Sequence, residues 1–337
     1  MEFREIVHPI TGLKQRWPVG ETGKPRLVLS GSNQATEAAC PNLYRFQRFF
    51  QNPKREPGHA AQCGTALHEA HQKYLLTKDF TLATLELMMH YPYYSDGNNN
   101  ARTRQFEACF ATLTAMCMNE EYPEDFPAME VMHIEKKDGT IIPAVEINFE
   151  IFVEQDIIEE FDVYICGALD QIMRSKTGVY RHPIVTDTKT TREKIHWYEK
   201  FQFASQTMPY HLVLSHLLGE DIEHFSVMYQ MAYIDLVDPV VQWIEYRKDK
   251  SHIQEYFNSF ILLLNKLNAQ IKMNHWPKNP SSCVRFKNTC AMMHACKVKR
   301  DPANNEIIQD IILGEGLAYD RYADPDREVD FSLRIKL

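Results

Sequence analysis

The chain has no apolar run of membrane-spanning length. Its first residues, Met1-Glu2-Phe3-Arg4-Glu5, hold no hydrophobic segment of the secretory kind. These absences point to a cytoplasmic protein without a membrane partner. Positive charge is not in excess: 37 Lys and Arg stand against 45 Asp and Glu, a net charge of -8. That excludes a global basic field, so nucleic acid would have to be met by a local patch or by a cation held in an acidic cleft. There is no internal repeat and no low-complexity segment. With 44% hydrophobic and 24% charged residues, the composition excludes a disordered, collagen-like or coiled-coil chain. The one candidate phosphate loop, Gly20-Glu21-Thr22-Gly23-Lys24, fails. Pro18 stands where the loop needs its first glycine, and Pro25 follows the lysine. No motor signature remains, so any helicase would be a separate partner. Eight cysteines without a signal segment argue against a disulfide framework and for core packing or metal ligation.

At 337 residues the chain suits one elaborated domain or two small ones. Residues 1–28 are punctuated by Pro and Gly and read as an irregular arm. A helix start at Ser32-Asn33-Gln34-Ala35-Thr36 is interrupted at Cys40-Pro41, after which Leu43, Phe46, Phe49 and Phe50 continue at helical spacing. Arg45, Arg48, Lys54 and Arg55 read as a solvated basic face. Gly64 to His71 opens a helix to about Lys78, and residues 79–119 hold two more around the loop 95–100. The period then changes to two. Residues 132–137, the turn Asp138-Gly139 and the alternating 145–153 read as a hairpin. Strands follow at 161–172, 179–188, 223–233 and 240–247, with helices at 194–218 and 251–273. This order predicts an α/β fold (α+β in looser schemes). A mixed sheet is flanked by helices, with a helical N-terminal part, a Cys-rich C-terminal part and a tail over 301–337.

The apolar strand Pro183-Ile184-Val185-Thr186 ends in Asp187-Thr188-Lys189. Side chains two apart on a strand share a face, so Asp187 and Lys189 point together while Thr188 turns aside. A carboxylate beside an ammonium can hold a cation and offset developing negative charge. Asp170 ends the strand Ile165-Cys166-Gly167-Ala168-Leu169-Asp170, where Gly167 permits a close approach. If the two strands pair, Asp170 and Asp187 converge, and two carboxylates suit Mg²⁺ or Mn²⁺. His68 could add a nitrogen ligand, which favours Mn²⁺. Glu146 or Glu150 could serve a second cation. Gln206 and Tyr210, four apart on the following helix, share a face and could hydrogen-bond Lys189 or a phosphate.

In this order, Gly64-x3-His68, Gly167-Ala168-Leu169-Asp170, Asp187-Thr188-Lys189-Thr190-Thr191 and Gln206-x3-Tyr210 resemble the RecB-like branch of the PD-(D/E)XK nuclease superfamily. So does the lead-in Leu29-Ser30-Gly31-Ser32 with Cys40-Pro41. The resemblance runs from about residue 28 to 297. It implies a restriction-endonuclease-like nuclease domain over 29–300, with a helical insertion at about 79–119. By the family's pattern His68, Asp170, Asp187 and the Thr188 carbonyl ligate the divalent metal. Lys189 is the catalytic lysine, with Gln206 and Tyr210 in the motif after it. The implied activity is metal-dependent phosphodiester hydrolysis of DNA, with an exonuclease of repair or recombination foremost and a recombination protein or helicase as a partner. A non-catalytic DNA-binding or assembly subunit that keeps the fold is the rival. Intact Asp170, Asp187 and Lys189 argue against it.

Cys283-x6-Cys290-x5-Cys296, within the segment 276–297, and Cys40 upstream suggest a four-thiolate site. By spacing alone zinc, iron–sulfur and no metal all stay open. Similarity to the CRISPR-adaptation and AddB-type nucleases implies a [4Fe–4S] cluster in preference to zinc. Cys283 departs from the family's spacing, which has two residues before the next cysteine. Such a site would clip the two ends of the domain together. Cys63, Cys109, Cys117 and Cys166 fall in apolar patterns and read as core. Arg285, Lys287, Lys297, Lys299 and Arg300 form a local basic patch that could meet the DNA backbone.

Overall fold

The structure, a computed structural model, describes residues 2–52, 58–92, 105–118, 129–136, 138–191, 201, 205–285, 288–299, 301–315 and 328–337. The loop at 95–100, the opening of the helix expected at 194–218, and Lys54, Arg55, Lys287 and Arg300 lie outside them. Among the described residues no helix is long and apolar enough to cross a membrane.

In chain order the strands are β1 (Glu2–Val7), β2 (Lys14–Val19), β3 (Arg26–Val28), β4 (Met129–Val131), β5 (His133–Glu135), β6 (Ile141–Pro143) and β7 (Val145–Glu154). They continue with β8 (Asp162–Ser175), β9 (Ile184–Thr191), β10 (His224–Tyr233), β11 (Val240–Asp249), β12 (Val284–Arg285), β13 (Asn288–Thr289) and β14 (Phe331–Lys336). The α-helices are α1 (Gly31–Ala39), α2 (Pro41–Phe49), α3 (His59–Thr77), α4 (Phe80–His90), α5 (Phe106–Met118), α6 (Tyr210–Leu218), α7 (Lys250–Lys272), α8 (Met293–Lys297) and α9 (Asn305–Glu315). The large sheet is mixed, in the order β11-β10-β9-β8-β7-β14, with β3 and β4 also on β8. Flanking helices complete the expected α/β architecture.

The chain divides into two compact units. The first holds residues 1–56, 149–167 and 254–337; the second holds 57–148 and 168–253. The first unit corrects the expected irregular arm. Glu2 to Val7 pairs antiparallel with Lys14 to Val19, and Arg26–Val28 runs parallel to the opening of β8. Proline and glycine there mark turns between short strands rather than the absence of strands. The expected tail is corrected too, because β14 adds to β7 in parallel register from Phe331↔Phe149 to Lys336↔Glu154. The core of this unit is aromatic. Tyr44, Phe49, Phe161 and Trp276 are buried, with Phe49 5.2 Å from Trp276 and 5.7 Å from Phe161 between ring centroids. On α7 Tyr256, Phe260, Leu264, Leu267 and Ile271 are buried at helical spacing, while Phe257 and Ile261 lie at the edge of that stripe. The basic face expected on α2 is not solvated at Arg45. That side chain is buried, donates to Asn305 Oδ1 at 3.1 Å and lies over the Phe50 ring. Gly167 confirms the predicted close approach, since a Cβ there would sit 2.4 Å from the Phe149 ring.

In the second unit β9 runs parallel to β10, and β10 is antiparallel to β11. Ile184 to Thr188 is buried without alternation, as expected of an interior strand covered on both faces. Helices α3, α4 and α5 share an apolar core in which Cys63, Cys109 and Cys117 are members beside Leu67, Leu87 and Leu113. Cys166 is likewise core, beside Val28, Phe152 and Tyr164 of the first unit. The expected hairpin is shorter than predicted. The Asp138-Gly139 turn joins β5 to β6, and β7 goes instead to the large sheet. Gly139 at φ +83° makes the turn tight, and past Pro143, which has no N–H to donate, the Ala144 N–H donates to the Met132 carbonyl at 2.7 Å.

His8 is fully buried among Trp17, Phe49 and Phe161, and its Nδ1 accepts from the Ile10 N–H at 3.3 Å. Burial pushes its pKa from 6.5 down to about 3. Between those values the folded state leaves His8 neutral while the unfolded chain protonates it, so its contribution to stability is lost as pH falls below about 6.5. Urea-unfolding free energies measured from pH 7 to pH 5 should decline on the acid side. His8→Phe, which keeps the ring but cannot titrate, should remove up to about 1.4 kcal/mol per pH unit of that decline.

Candidate active site

The second unit gathers the motif residues at one place. Helix α3 can lie close to β9 because residue 64 is glycine; a Cβ there would sit 2.8 Å from Thr190 Oγ1. One turn along, His68 Nε2 is 2.5 Å from Glu146 Oε1 and 3.9 Å from Asp170 Oδ2. Ligand atoms of His68, Glu146 and Asp170 all lie within 4.8 Å of one another.

Strands β8 and β9 pair through Gln171↔Thr186, Ile172↔Val185 and Met173↔Ile184. At the next step a side chain stands in for the ladder: the Thr188 N–H donates to Asp170 Oδ2 at 2.7 Å. The predicted pairing of these two strands, and the convergence of Asp170 and Asp187, are what the structure has. Beyond that point β9 presents its residues as the alternation of a strand requires. Asp187 and Lys189 emerge together, with Lys189 Nζ 2.7 Å from Asp187 Oδ2. Thr188 turns aside, and its hydroxyl donates to Gln230 Oε1 at 3.1 Å on the neighbouring strand. Asp187 is 1% exposed and Asp170 has a 14% exposed side chain. Asp187 Oδ2 is buried and, apart from its ion-pair contact with Lys189, accepts no aligned hydrogen bond among the described residues.

The electrostatics follow from this crowding. Burial opposes charge on His68, yet the Glu146 hydrogen bond and the negative charges of Asp170, Glu146 and Asp187 outweigh it and raise its pKa to about 9. Burial, then the Asp187 charge, raises the pKa of Asp170, with His68 and Lys189 pulling the other way. The place attracts positive charge. A hard divalent cation fits the donor set of carboxylate oxygens and one imidazole, and the buried Asp187 Oδ2, which meets the Lys189 ammonium, adds negative charge beside it.

Tyr210 and Gln206 differ from expectation. Tyr210 opens α6, is buried, and its hydroxyl donates to the Ala168 carbonyl at 3.1 Å, two residues before Asp170. It ties the site strand to the helix. Gln206 is exposed and lies in a separate 3-10 turn, Ser205–Thr207, so the two do not share a face of one helix. Of the two acids weighed on β7, Glu150 belongs to the first unit, where it forms an ion pair with Arg26. Glu146 is at the site. Its backbone is left-handed, φ +52°, a conformation that costs a side-chain-bearing residue ~1–3 kcal/mol. Tyr229, which sequence reasoning passed over, pairs with Asp187 in the parallel register of β9 and β10. Its ring is buried and stacks on Phe201 at 4.4 Å. Only the pairing of β9 with β10 reveals it, since an aromatic in an apolar strand carries no functional signal of its own.

No curated protein matches the chain. Among solved structures, a protein titled "Putative exonuclease" from Eubacterium rectale is similar over 80% of this chain and 94% of its own, at 12% identity and a TM-score of 0.42. The protein SSO0001 is similar over 59% of this chain and 74% of its own, at 14% identity and a TM-score of 0.24. Both scores are too low to carry an argument about activity. The sequence profile of the PD-(D/E)XK nuclease superfamily, in contrast, matches residues 28–297 and so spans every residue of the site just described. The chain belongs to the PD-(D/E)XK nuclease superfamily, a family of metal-dependent nucleases.

Proposed function

We propose that this chain is a divalent-cation-dependent deoxyribonuclease that works as an exonuclease on DNA. The observation that carries the reading is the buried Asp187 oxygen without an aligned hydrogen bond, set beside Lys189 and in the same cluster of charge as Asp170 and His68. His68, Asp170, Asp187 and the Thr188 carbonyl would hold Mg²⁺ or Mn²⁺. When bound, such an ion supplies Lewis-acid polarisation of a phosphate and lowers the pKa of water. The chain's own residues do the rest. Lys189, with a 29% exposed side chain, is reachable from solvent and meets the charge that develops on the phosphate. Asp187 fixes where that ammonium sits. The Thr188 N–H fixes one Asp170 oxygen and leaves the other for the ion. Tyr210 steadies the strand that carries Asp170, and Gln206, being exposed, can take a phosphate oxygen.

In the first unit the four cysteines Cys40, Cys283, Cys290 and Cys296 would hold a [4Fe–4S] cluster. Burial first, then the neighbouring thiols of Cys296, Cys283 and Cys40, raises the Cys290 pKa, which supports a common site. The polar frame supports it as well. Asn42 Nδ2 donates to Cys296 Sγ at 2.9 Å, and Asn279 and Ser282 both donate to the Ala39 carbonyl. No three of these thiols lie mutually within 4.8 Å. The cluster is read as structural, because it would knit residues 39–42 to 277–296. The exposed Lys297 and Lys299 beside it suit a DNA backbone.

Asp187→Asn and Lys189→Ala should each lower cleavage of end-labelled DNA by about a hundred-fold or more in Mg²⁺ or Mn²⁺, with melting unchanged within a few degrees. Linear DNA should be degraded from its ends while covalently closed circles persist. Nicking of circles at a comparable rate would refute the exonuclease mode, and no cleavage of any DNA by the unaltered protein would refute the activity.

Protein purified without oxygen should be brown, with iron and sulfide in near four-to-four ratio. Cys290→Ser should lose the colour and melt several degrees lower. A colourless protein carrying one zinc would decide for zinc.

A further inference from the structure

Glu146 stands apart from the motif series, yet it is the acid nearest His68. The Ile172 N–H donates to the Ala144 carbonyl at 2.9 Å. Continuing that antiparallel register by two residues sets Glu146 opposite Asp170. Its Oε1 is 2.5 Å from His68 Nε2, and its side chain is 31% exposed, so solvent and ions reach it.

We infer that Glu146 is a further ligand of the divalent cation, adding a third carboxylate to Asp170 and Asp187. The inference rests on the metal-site reading above. A residue that only propped up His68 would need one oxygen. Glu146 offers two, and among the described residues its Oε2 accepts no hydrogen bond. The cluster is more than a chance gathering of acids, because the His68 imidazole is a member of it and the 1% exposed Asp187 beside it is held by the Lys189 ammonium at 2.7 Å. His68, Glu146 and Asp170 bring ligand atoms within 4.8 Å of one another, with the Asp187 charge acting on the same group, a donor set suited to a hard divalent ion in which the nitrogen favours Mn²⁺ over Mg²⁺. The sequence leaves Glu146 and Glu150 equivalent, and the structure places only Glu146 beside His68 and Asp170.

The test is calorimetric titration of Mn²⁺, and separately Mg²⁺, into metal-stripped full-length protein, comparing the unaltered chain with Glu146→Gln and Asp187→Asn. Glu146→Gln keeps an acceptor for His68 but removes the charge. By removing a ligating charge it should weaken Mn²⁺ binding about ten-fold or more, as should Asp187→Asn. If Glu146→Gln binds as tightly as the unaltered protein while Asp187→Asn does not, Glu146 is only a prop and the inference falls. If Asp187→Asn also binds unchanged, the metal-site reading itself falls. Should Glu146→Gln fold poorly, Glu146→Asp and Glu146→Asn repeat the comparison, since both residues tolerate left-handed backbone. Asp should bind Mn²⁺ more tightly than Asn, and equal affinities overturn the assignment.

Discussion

Like charges crowded into a small, poorly solvated volume need positive charge among them, and the second unit is arranged around that need. Asp170, Asp187 and Glu146 surround the end of β9. Two of the chain's own cations answer them, His68 against Glu146 and Lys189 against Asp187. The raised pKa values of His68 and Asp170 express one imbalance from its two sides. An ion with two positive charges relieves it more completely than a proton does.

Backbone geometry holds these groups where repulsion alone would separate them. The ladder between β8 and β9 stops at Gln171↔Thr186, and the Asp170 carboxylate takes the next N–H. Divergence of two strands thus becomes a place for two aspartates. Gly64 removes the side chain that would hold α3 away from Thr190, so His68 reaches the acids from a helix. Tyr210 and Gln230 occupy hydrogen-bonding groups on neighbouring elements. The first unit solves a separate problem. Its aromatic core, from Tyr44 to Trp276, sits alongside a frame of asparagine and serine bonds that ties Ala39 and Asn42 to Asn279, Ser282 and Cys296.

Much of the site was legible because its order along the chain is characteristic. Asp187 and Lys189 two apart at the end of an apolar strand predict a shared face, and the 2.7 Å ion pair has that geometry. Asp170 after Gly167 predicts a tight approach, and Phe149 fills the space that a Cβ would need; the strand end expected at Asp170 is not found, because β8 continues to Ser175. The misses have physical causes. Val145 to Val153 was assigned to a hairpin because alternation shows that a strand exists but not which strand it pairs with. Gln206 and Tyr210 satisfy a four-residue spacing, yet Pro209 at the start of α6 leaves Gln206 outside the helix. Arg45 was read as solvated because a cation near the surface usually is. Here its guanidinium lies over the Phe46 and Phe50 rings and donates to Asn305.

By itself the sequence determined the class of the fold, the apolar run that leads into Asp187 on β9, and the family to which the motif order belongs. Those are properties of local periodicity and of residue types at short, fixed spacings, and they survive without coordinates. Only the tertiary structure decided that Glu146 joins His68 and Asp170 while Glu150 pairs with Arg26. Both glutamates stand on one strand four residues apart, and no local pattern distinguishes them. What separates them is which strand lies alongside and how far the chain has run when it gets there, quantities fixed by long-range pairing.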